Sequence, residues 1–447
     1  MQVDAWLARA AARHPERQAV QTAAGALTYA QLHDRARGFA GWLAAQGVRR
    51  GDRIALHLPA GLDFAVALHG CLLRGAAAVP VDPRLSERER QQVAAGARLV
   101  LGAQRACSSP AEGRARDVAE GRDRAWHDLD AAAAVIHTSG TTGDPKPVEL
   151  TYGNWLWSAL GSAVALGLDP RERWLGALPV AHVGGLSILV RSAIYATTAV
   201  LHERFETEAV LDELMAPGGA TLVSLVPTTL ARLLDAGLHD PPRLRCALLG
   251  GAPVPTELVR RASRAGVAVS PTYGLTEACS QVTTAPAGDG AVVDAGPPLF
   301  CTRVSVAGDG EILVAGPTVA PGARAPDGWL HTGDLGALDE RGRLRVTGRL
   351  AETIISGGEN VAPAEVEAAL LEHRAVADAA VYGRRDPQWG QAVVASVVVR
   401  DAGGVTAEEL RAHCAERLAP YKVPKEVRFV DQLPRTPAGK LRRRELA

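Results

Sequence analysis

The chain has 447 residues, in which 49 Lys and Arg balance 49 Asp and Glu, so it lacks the basic excess that a nucleic-acid backbone binder needs. A hydrophobic share of 47% against 22% charged residues excludes a disordered chain, and at ~150 residues per domain the length predicts two to four domains. The six cysteines, Cys71, Cys107, Cys246, Cys279, Cys301 and Cys414, form no C-x-x-C pair and stand at no metal-ligand spacing from a histidine. That disfavours zinc and a disulfide framework and suits a reducing compartment. Met1 to Gln18 carries charge throughout and has no apolar signal-peptide core. No uncharged apolar run reaches the ~18 residues of a membrane span, so the expected location is the cytoplasm. Only four basic residues are lysines, Lys146, Lys422, Lys425 and Lys440. Alanine, arginine and glycine are abundant, the pattern of a GC-rich coding bias. A lysine kept against that bias marks a place where a compact ammonium is needed.

In chain order, Leu27 to Gln46 predicts a helix with Leu32, Ala36, Phe39, Ala40 and Leu43 on one face, closed by Gly47. Arg53 to Leu58 reads as a strand, Phe64 to Leu73 as a helix, and Ala76 to Val81 as a strand ended by Pro83. The charged stretch Glu112 to Asp130 reads as a solvated surface segment. Thr221 to Val226, Thr228 to Asp235 and Arg245 to Leu249 continue the alternation as strand, helix and strand. Alternating β and α units imply parallel sheets covered by helices. Beyond about residue 290 the pattern turns β-rich, with Arg303 to Ala307, Glu311 to Ala315 and Arg343 to Thr347. The last hundred residues predict a separate small domain. It has a helix at Ala364 to Leu371, a strand at Ala392 to Val399, and a helix whose capping box is Thr406 and Glu409. Leu410, Cys414 and Leu418 repeat on that helix's buried face. The boundary is placed near Arg349 to Ala351.

The most specific segment follows the apolar run Ala131 to Ile136 and includes Thr138, Ser139, Gly140, Thr141, Thr142, Gly143 and Lys146. Two glycines and four hydroxyl residues make a loop rich in donors able to wrap phosphate oxygens, with Lys146 as a mobile cation. It is not a Walker A loop, because no Gly-Lys-Ser/Thr opens a following helix. This segment resembles the phosphate-binding signature of the adenylate-forming superfamily of acyl- and aryl-CoA synthetases, luciferases and adenylation domains. Tyr273-Gly274-Leu275-Thr276-Glu277 is similar to its second signature, and Trp329-Leu-His-Thr-Gly-Asp334 to its ribose-binding signature. Gly348-Arg349 with Ser356-Gly357-Gly358-Glu-Asn360 resembles its hinge, and Pro434-Arg-Thr-Pro-Ala-Gly-Lys440 its terminal catalytic-lysine signature. The early Leu27-Thr-Tyr and Gly51-Asp-Arg-Ile segments match as well, so the resemblance covers essentially the whole chain in order.

The resemblance implies an α/β fold. A large N-terminal domain, 1–349, has parallel sheets flanked by helices and a small β-barrel-like subdomain. A small mobile α+β C-terminal domain, 350–447, carries the catalytic lysine. The implied reaction is ATP-dependent activation of a carboxylic acid through an acyl-adenylate, followed by transfer to coenzyme A. A carboxylate is already ionised at neutral pH, so the chemical task is to bring two anions together, which asks for charge neutralisation and positioning. The resemblance implies that Glu277 holds Mg2+, Thr276 bonds the α-phosphate and Asp334 accepts from the ribose. It places Gly250, Gly251, Ala252 and Pro253 against adenine with Tyr273 stacking on it, and Arg349 on the ribose or phosphate side. Lys440 reaches the carboxylate and α-phosphate, and Gly357 and Gly358 line the arm of CoA. Three positions depart from the pattern: Pro147 stands for the usual glycine, Ala351 for a polar hinge residue, and His137 for an aromatic one.

His182 stands where amino-acid-activating relatives carry an aspartate, which implies a non-amino acid substrate and makes His182 a candidate catalytic or substrate contact; a satisfied structural histidine is the alternative. Gly185 to Ala196 predicts an apolar helix with Arg191 as its only charge. A buried guanidinium needs an anion, and a second substrate carboxylate would supply one; snorkelling or an acidic neighbour is the other reading. The block from Thr151 to Tyr195, with Val223-Ser224-Leu-Val-Pro-Thr, most closely resembles the o-succinylbenzoate–CoA ligases of menaquinone biosynthesis. That resemblance makes Arg191 and Ser224 candidates for substrate contact. A ligase for another acid, or an adenylate-holding protein without turnover, are the alternatives. The expected partners are a small carboxylic acid, ATP and CoA, with no nucleic acid and no membrane span; the oligomeric state stays open, a homodimer included.

Overall fold

The computed structural model describes residues 1–102, 126–139, 145–288, 294–356, 359–400, 404–435 and 441–446. Two sheets carry the parallel strands that the β/α alternation predicts. In the first, the described strands run in the order Leu99–Gly102, Arg53–His57, Ala77–Pro80, Ala132–Ser139, Pro145–Thr151. All neighbours are parallel except the last pair. In the second, strands Val269–Leu275, Cys246–Leu249, Leu222–Leu225, Arg173–Gly176, Thr198–Leu201 and Gln18–Thr22 are parallel. Antiparallel strands Ser280–Thr284 and Gly25–Thr28 close its two edges. Several of the parallel strands, including Leu222–Leu225 and Cys246–Leu249, are buried along their whole length, as strands covered on both faces must be.

One apolar core joins Leu32, Ala36 and Leu43 to Ile54, Leu68, Trp155, Leu186 and Leu222, and so spans both sheets. The helix carrying the first three runs Tyr29–Ala45, shorter than the expected Leu27 to Gln46. Leu27 and Thr28 end a hairpin strand instead, and Thr28 caps the helix reciprocally with Gln31. Gly47 follows it with φ +76°. Of the stretch expected to be solvated surface, Trp126–Asp128 is a strand paired with Gln2–Asp4. His127 is buried there among Trp6 and Tyr152; positions 112–125 lie outside the described residues.

The β-rich stretch is an antiparallel meander of Arg303–Val306, Glu311–Ala315, Leu330–Leu338 and Leu344–Arg349. It has its own small core of Ile312, Val314, Val319, Leu330 and Leu344 beside Ala278 and Val282. From Ile354 onward a further sheet is covered by helices Pro363–Leu371 and Ala407–Ala415. Its core draws only on residues from Ile354 to Val427. The Thr406–Glu409 capping box forms. Leu410 and Cys414 are buried, whereas Leu418 lies beyond the helix end and is half-buried. Among the described residues no helix is long and apolar enough to cross a membrane. The described cysteines are all free thiols.

The two core histidines generate a pH expectation. Burial pushes His69 down to about 4 and His127 down to about 3, the latter helped by His69 and Arg50. Both imidazoles are therefore neutral when folded, and the unfolded chain binds protons near pH 6.5 that the folded chain refuses. Their contribution is complete above about pH 6.5 and is lost as pH falls towards the depressed values. Urea unfolding should give a lower free energy at pH 5 than at pH 7.5, and His127→Gln should shrink that difference.

Candidate active site

Several of the predicted site residues follow the carboxyl ends of parallel strands, where open α/β sheets leave a crevice: Gly250 to Pro253 follow Cys246–Leu249, and Thr276 and Glu277 follow Val269–Leu275, whereas Asp334 and Arg349 stand on antiparallel strands. The strands that flank the phosphate-loop segment are antiparallel neighbours. Strands Ala132–Ser139 and Pro145–Thr151 pair Ser139 with Pro145 and Thr138 with Lys146, and the Thr138 hydroxyl donates to the Lys146 carbonyl at 3.4 Å. The Lys146 side chain is exposed and makes no ion pair among the described residues. Gly140, Thr141, Thr142 and Gly143 lie outside the described residues, as do Gly357, Gly358 and Lys440. Pro147 sits inside the outer strand of this sheet, opposite His137. An edge strand tolerates proline because the missing N–H would have faced outward.

Gly250 to Pro253 follow strand Cys246–Leu249. A Cβ on Gly250 would stand 2.8 Å from Thr272 Cγ2 and 2.9 Å from the Thr272 carbonyl oxygen, and Gly251 has φ +80°. The backbone therefore passes its neighbouring strand closely and turns sharply, and the segment's surface stays open. Gly274 is tighter still: a Cβ there would overlap the Ser280 carbonyl on the paired strand.

Asp334 is the best-anchored carboxylate of the site. It is 5% exposed. Its Oδ2 accepts from the Tyr273 hydroxyl at 2.8 Å, and its Oδ1 pairs with Arg349 Nε at 2.8 Å. Arg349 is its direct cross-strand partner. Burial first, and then the Asp334 charge, push the Tyr273 phenol up, so that it stays a donor. With its hydroxyl committed to Asp334, the ring face of Tyr273 is the surface left for an aromatic base. Each Asp334 oxygen retains a lone pair, which suits acceptance from two vicinal hydroxyls.

Thr276 and Glu277 begin a 3-10 turn, Thr276–Ala278, placed by the end of strand Val269–Leu275. Both are half-buried, and Glu277 makes no ion pair among the described residues. No cluster of three or more His, Cys, Asp or Glu that could hold a metal occurs among the described residues. A lone free carboxylate facing a triphosphate is the donor set that suits Mg2+, which takes one or two protein carboxylates together with phosphate oxygens.

His182 is the N-cap of helix Val183–Tyr195 and makes no side-chain capping bond. It is exposed, yet desolvation lowers its pKa, with Asp82 opposing and Arg84 adding to the effect. This is the behaviour of a side chain open to a cleft with protein on most sides. Asp82 and Arg84 form a two-bond pair beside it, at 2.8 and 2.5 Å.

Arg191 lies on the same helix and is 1% exposed. Its Nη2 donates to Ser158 Oγ at 3.0 Å, its guanidinium sits 5.6 Å from the Trp174 ring centroid, and its Nε has no partner. No carboxylate pairs with it among the described residues. Burial lowers its pKa, but an arginine stays charged. Trp174 also donates its indole N–H to Ser224 Oγ at 2.9 Å. Trp174 thus joins the two predicted substrate contacts, since it leaves the Ser224 hydroxyl proton free to donate. Trp174 and Ser158 escape sequence reading because their partners are distant in the chain: Trp174 lies in the strand pair that sets Gly176 beside Ser224, and Ser158 lies on helix Tyr152–Leu166. Lys422 pairs with both oxygens of Glu365 at 2.7 Å, and Lys425 stands 4.7 Å from the Trp389 ring centroid; these two lysines are engaged within the C-terminal sheet region.

His331 braces the loop before Asp334. It bridges Asp327 and Glu311, each at 2.9 Å, and Glu311 also accepts from the Gly333 N–H at 2.8 Å. The hydrogen bonds to Asp327 and then Glu311 raise the His331 pKa. The protonated form is favoured in the fold, so the bracing is complete below about pH 6.5 and is lost as pH rises through the raised value. A histidine NMR titration should show a midpoint above the ordinary value, and Asp327→Asn should move it down.

The AMP-binding enzyme family model matches residues 7–322, and the AMP-binding enzyme C-terminal domain model matches residues 365–440. A 2-succinylbenzoate–CoA ligase of Bacillus licheniformis is 40% identical over 474 aligned positions, spanning 99% of this chain and 98% of the relative. The o-succinylbenzoate CoA synthetase of Bacillus subtilis, solved with the acyl-adenylate intermediate OSB-AMP, superimposes with a TM-score of 0.90 at 37% identity, covering 100% of this chain and 98% of that one. The same synthetase with ATP and magnesium ion gives 0.90 at 38% identity, with both chains fully covered.

Proposed function

The chain belongs to the AMP-binding enzyme family, and on that premise we propose that it is the ATP-dependent ligase joining o-succinylbenzoate to coenzyme A, a step of menaquinone biosynthesis. The carboxylate oxygen of the substrate's aliphatic arm attacks the α-phosphorus of ATP. A new P–O bond forms, the α–β anhydride bond breaks, and pyrophosphate leaves. The CoA thiolate then attacks the acyl carbon and AMP departs. ATP, Mg2+ and CoA are the participants, and the cytoplasm, where ATP and CoA are plentiful, is the expected location.

The observation that carries the choice of acid is Arg191. A fully buried guanidinium without a carboxylate costs several kcal/mol unless an anion arrives, and o-succinylbenzoate has a second carboxylate to spare. Arg191 and the free hydroxyl proton of Ser224, both held by Trp174, are the groups we assign to that carboxylate. His182, at the N-cap beside Asp82 and Arg84, is assigned to the reacting end of the acid together with Thr276.

The remaining assignments follow the chemistry of each group. Thr138 to Gly143 and Lys146 wrap the triphosphate. Gly250 to Pro253, with Tyr273 and Gly274, receive adenine, while Asp334 and Arg349 hold the ribose. Glu277 would hold Mg2+, which supplies charge neutralisation on the phosphate oxygens. Thr276 donates to the α-phosphate. Gly357 and Gly358 give the pantetheine arm close approach. We place the domain boundary between residues 349 and 350, with 350–447 rotating to present Lys440 for adenylation and withdraw it for thioester formation.

ATP–pyrophosphate exchange across a panel of acids tests the reading: exchange with o-succinylbenzoate is expected, and exchange confined to monocarboxylates would refute it. Arg191→Ala should raise KM chiefly for dicarboxylic acids, and an unchanged specificity profile would remove Arg191 from the substrate site. Lys440→Ala should slow adenylation by ~10²-fold or more, the scale of losing a preorganised transition-state contact, while largely sparing thioester formation from supplied acyl-adenylate. Equal loss in both half-reactions would refute domain alternation.

A further inference from the structure

Two charge pairs bracket the junction between the large domain and the C-terminal sheet. On one side Arg349 is held by Asp334 across the strand pair. On the other, Glu352, the last residue of the 3-10 turn Leu350–Glu352, pairs with Arg443 Nη1 at 2.6 Å. Arg443 does more than meet Glu352. Its Nη2 donates to both oxygens of Glu367 at 2.7 Å, and its Nε donates to the Val381 carbonyl at 3.1 Å. Glu367 is 8% exposed and also accepts from the Val381 N–H at 2.7 Å. One guanidinium therefore ties a residue of the junction, a buried carboxylate of helix Pro363–Leu371 and strand Val376–Asp386 to the chain just after Lys440.

The chain just before Lys440 is tied to the same sheet. Arg435 Nη2 contacts both oxygens of Asp378 at 2.9 and 2.7 Å. Arg435 forms an antiparallel bridge with Leu441, and the Arg442 N–H donates to the Pro434 carbonyl at 2.9 Å. Between the brackets, Leu350 is 48% exposed and Ala351 is exposed with no side-chain polar group. Ala351 itself offers no polar hinge contact, and the charges that organise the junction stand on either side of it.

We propose that Arg443 is a positioning residue for adenylation: by holding Glu352 and Glu367 together it ties the chain that follows Lys440 to the C-terminal side of the junction. The inference rests on the reading that Lys440 serves adenylation and moves with its domain. A planar guanidinium suits the task because its forked donors serve two carboxylates and a carbonyl at once, which an ammonium cannot do in fixed geometry.

The test measures two half-reactions, ATP–pyrophosphate exchange with o-succinylbenzoate and thioester formation from supplied acyl-adenylate and CoA. Arg443→Gln is expected to slow exchange about tenfold or more, on the scale by which ~1 Å of misplacement acts, with the KM values for ATP and acid little changed and thioester formation within about twofold. Arg443→Lys should fail to restore exchange, and Glu352→Gln should show the same split to a smaller degree. Arg443→Gln leaves Glu367 buried and unpaired. Should that variant fold poorly, the Arg443→Gln/Glu367→Gln double variant and Glu352→Gln decide the matter. Equal losses in both half-reactions, or unchanged exchange in folded variants, would overturn the inference. Lys440→Ala run in parallel separates the two ideas: if it shows the split and the Arg443 and Glu352 variants do not, only the positioning role fails, and if it shows none, the underlying reading fails.

Discussion

A carboxylate taken out of water must be paired and hydrogen-bonded or it destabilises the fold, and Asp334 meets that requirement with partners drawn from two sheets. Tyr273 reaches it from the large parallel sheet, and Arg349 from the strand that leads out of the large domain. The same acid therefore joins the sheet of Val269–Leu275 to the meander of Leu344–Arg349. The ring of Tyr273 and the guanidinium of Arg349 are held in place by the fold itself, and in the proposed reading that would lower the ordering cost of binding. Asp334 and Arg349 face each other directly in the antiparallel strand pair.

Charge is arranged differently at the acid end of the site. Arg191 is almost fully buried, yet among the described residues its neighbours are a hydroxyl and an aromatic face rather than a carboxylate. The cation–π and hydroxyl contacts soften the cost of the lone charge without cancelling it. A site left electrostatically incomplete in this way favours a ligand of opposite sign over a neutral one, which is discrimination by what is withheld as well as by what is offered. The global charge balance of the chain carries none of this information.

The candidate-site residues stand out in the linear sequence because they come in short runs of unusual residue types: Thr138 to Lys146, Tyr273 to Glu277, and Trp329 to Asp334. Alternation of apolar runs with helical periods likewise points to the parallel sheets. What escapes is everything decided by partners distant in sequence. Trp126–Asp128 reads as part of a charged surface stretch, but Gln2–Asp4 pairs with it and buries His127. Leu27 opens the expected helix, but the hairpin with Gln18–Thr22 claims it and leaves the helix to start at Tyr29. Lys422 and Lys425 lie near the terminal signature, yet Glu365 and Trp389 engage them. Arg443 is one arginine among many, and only the convergence of Glu352 and Glu367 singles it out.

The strand Pro145–Thr151 closes one edge of its sheet. Prolines at 145 and 147 share the same side of that strand, because successive backbone groups alternate, and neither has an N–H to offer. A second chain trying to add itself to this edge would find two consecutive donor positions missing. The departure from glycine at residue 147 therefore acts on the molecule's solution behaviour as well as on its loop: it blunts an edge at which intermolecular β-pairing would otherwise begin.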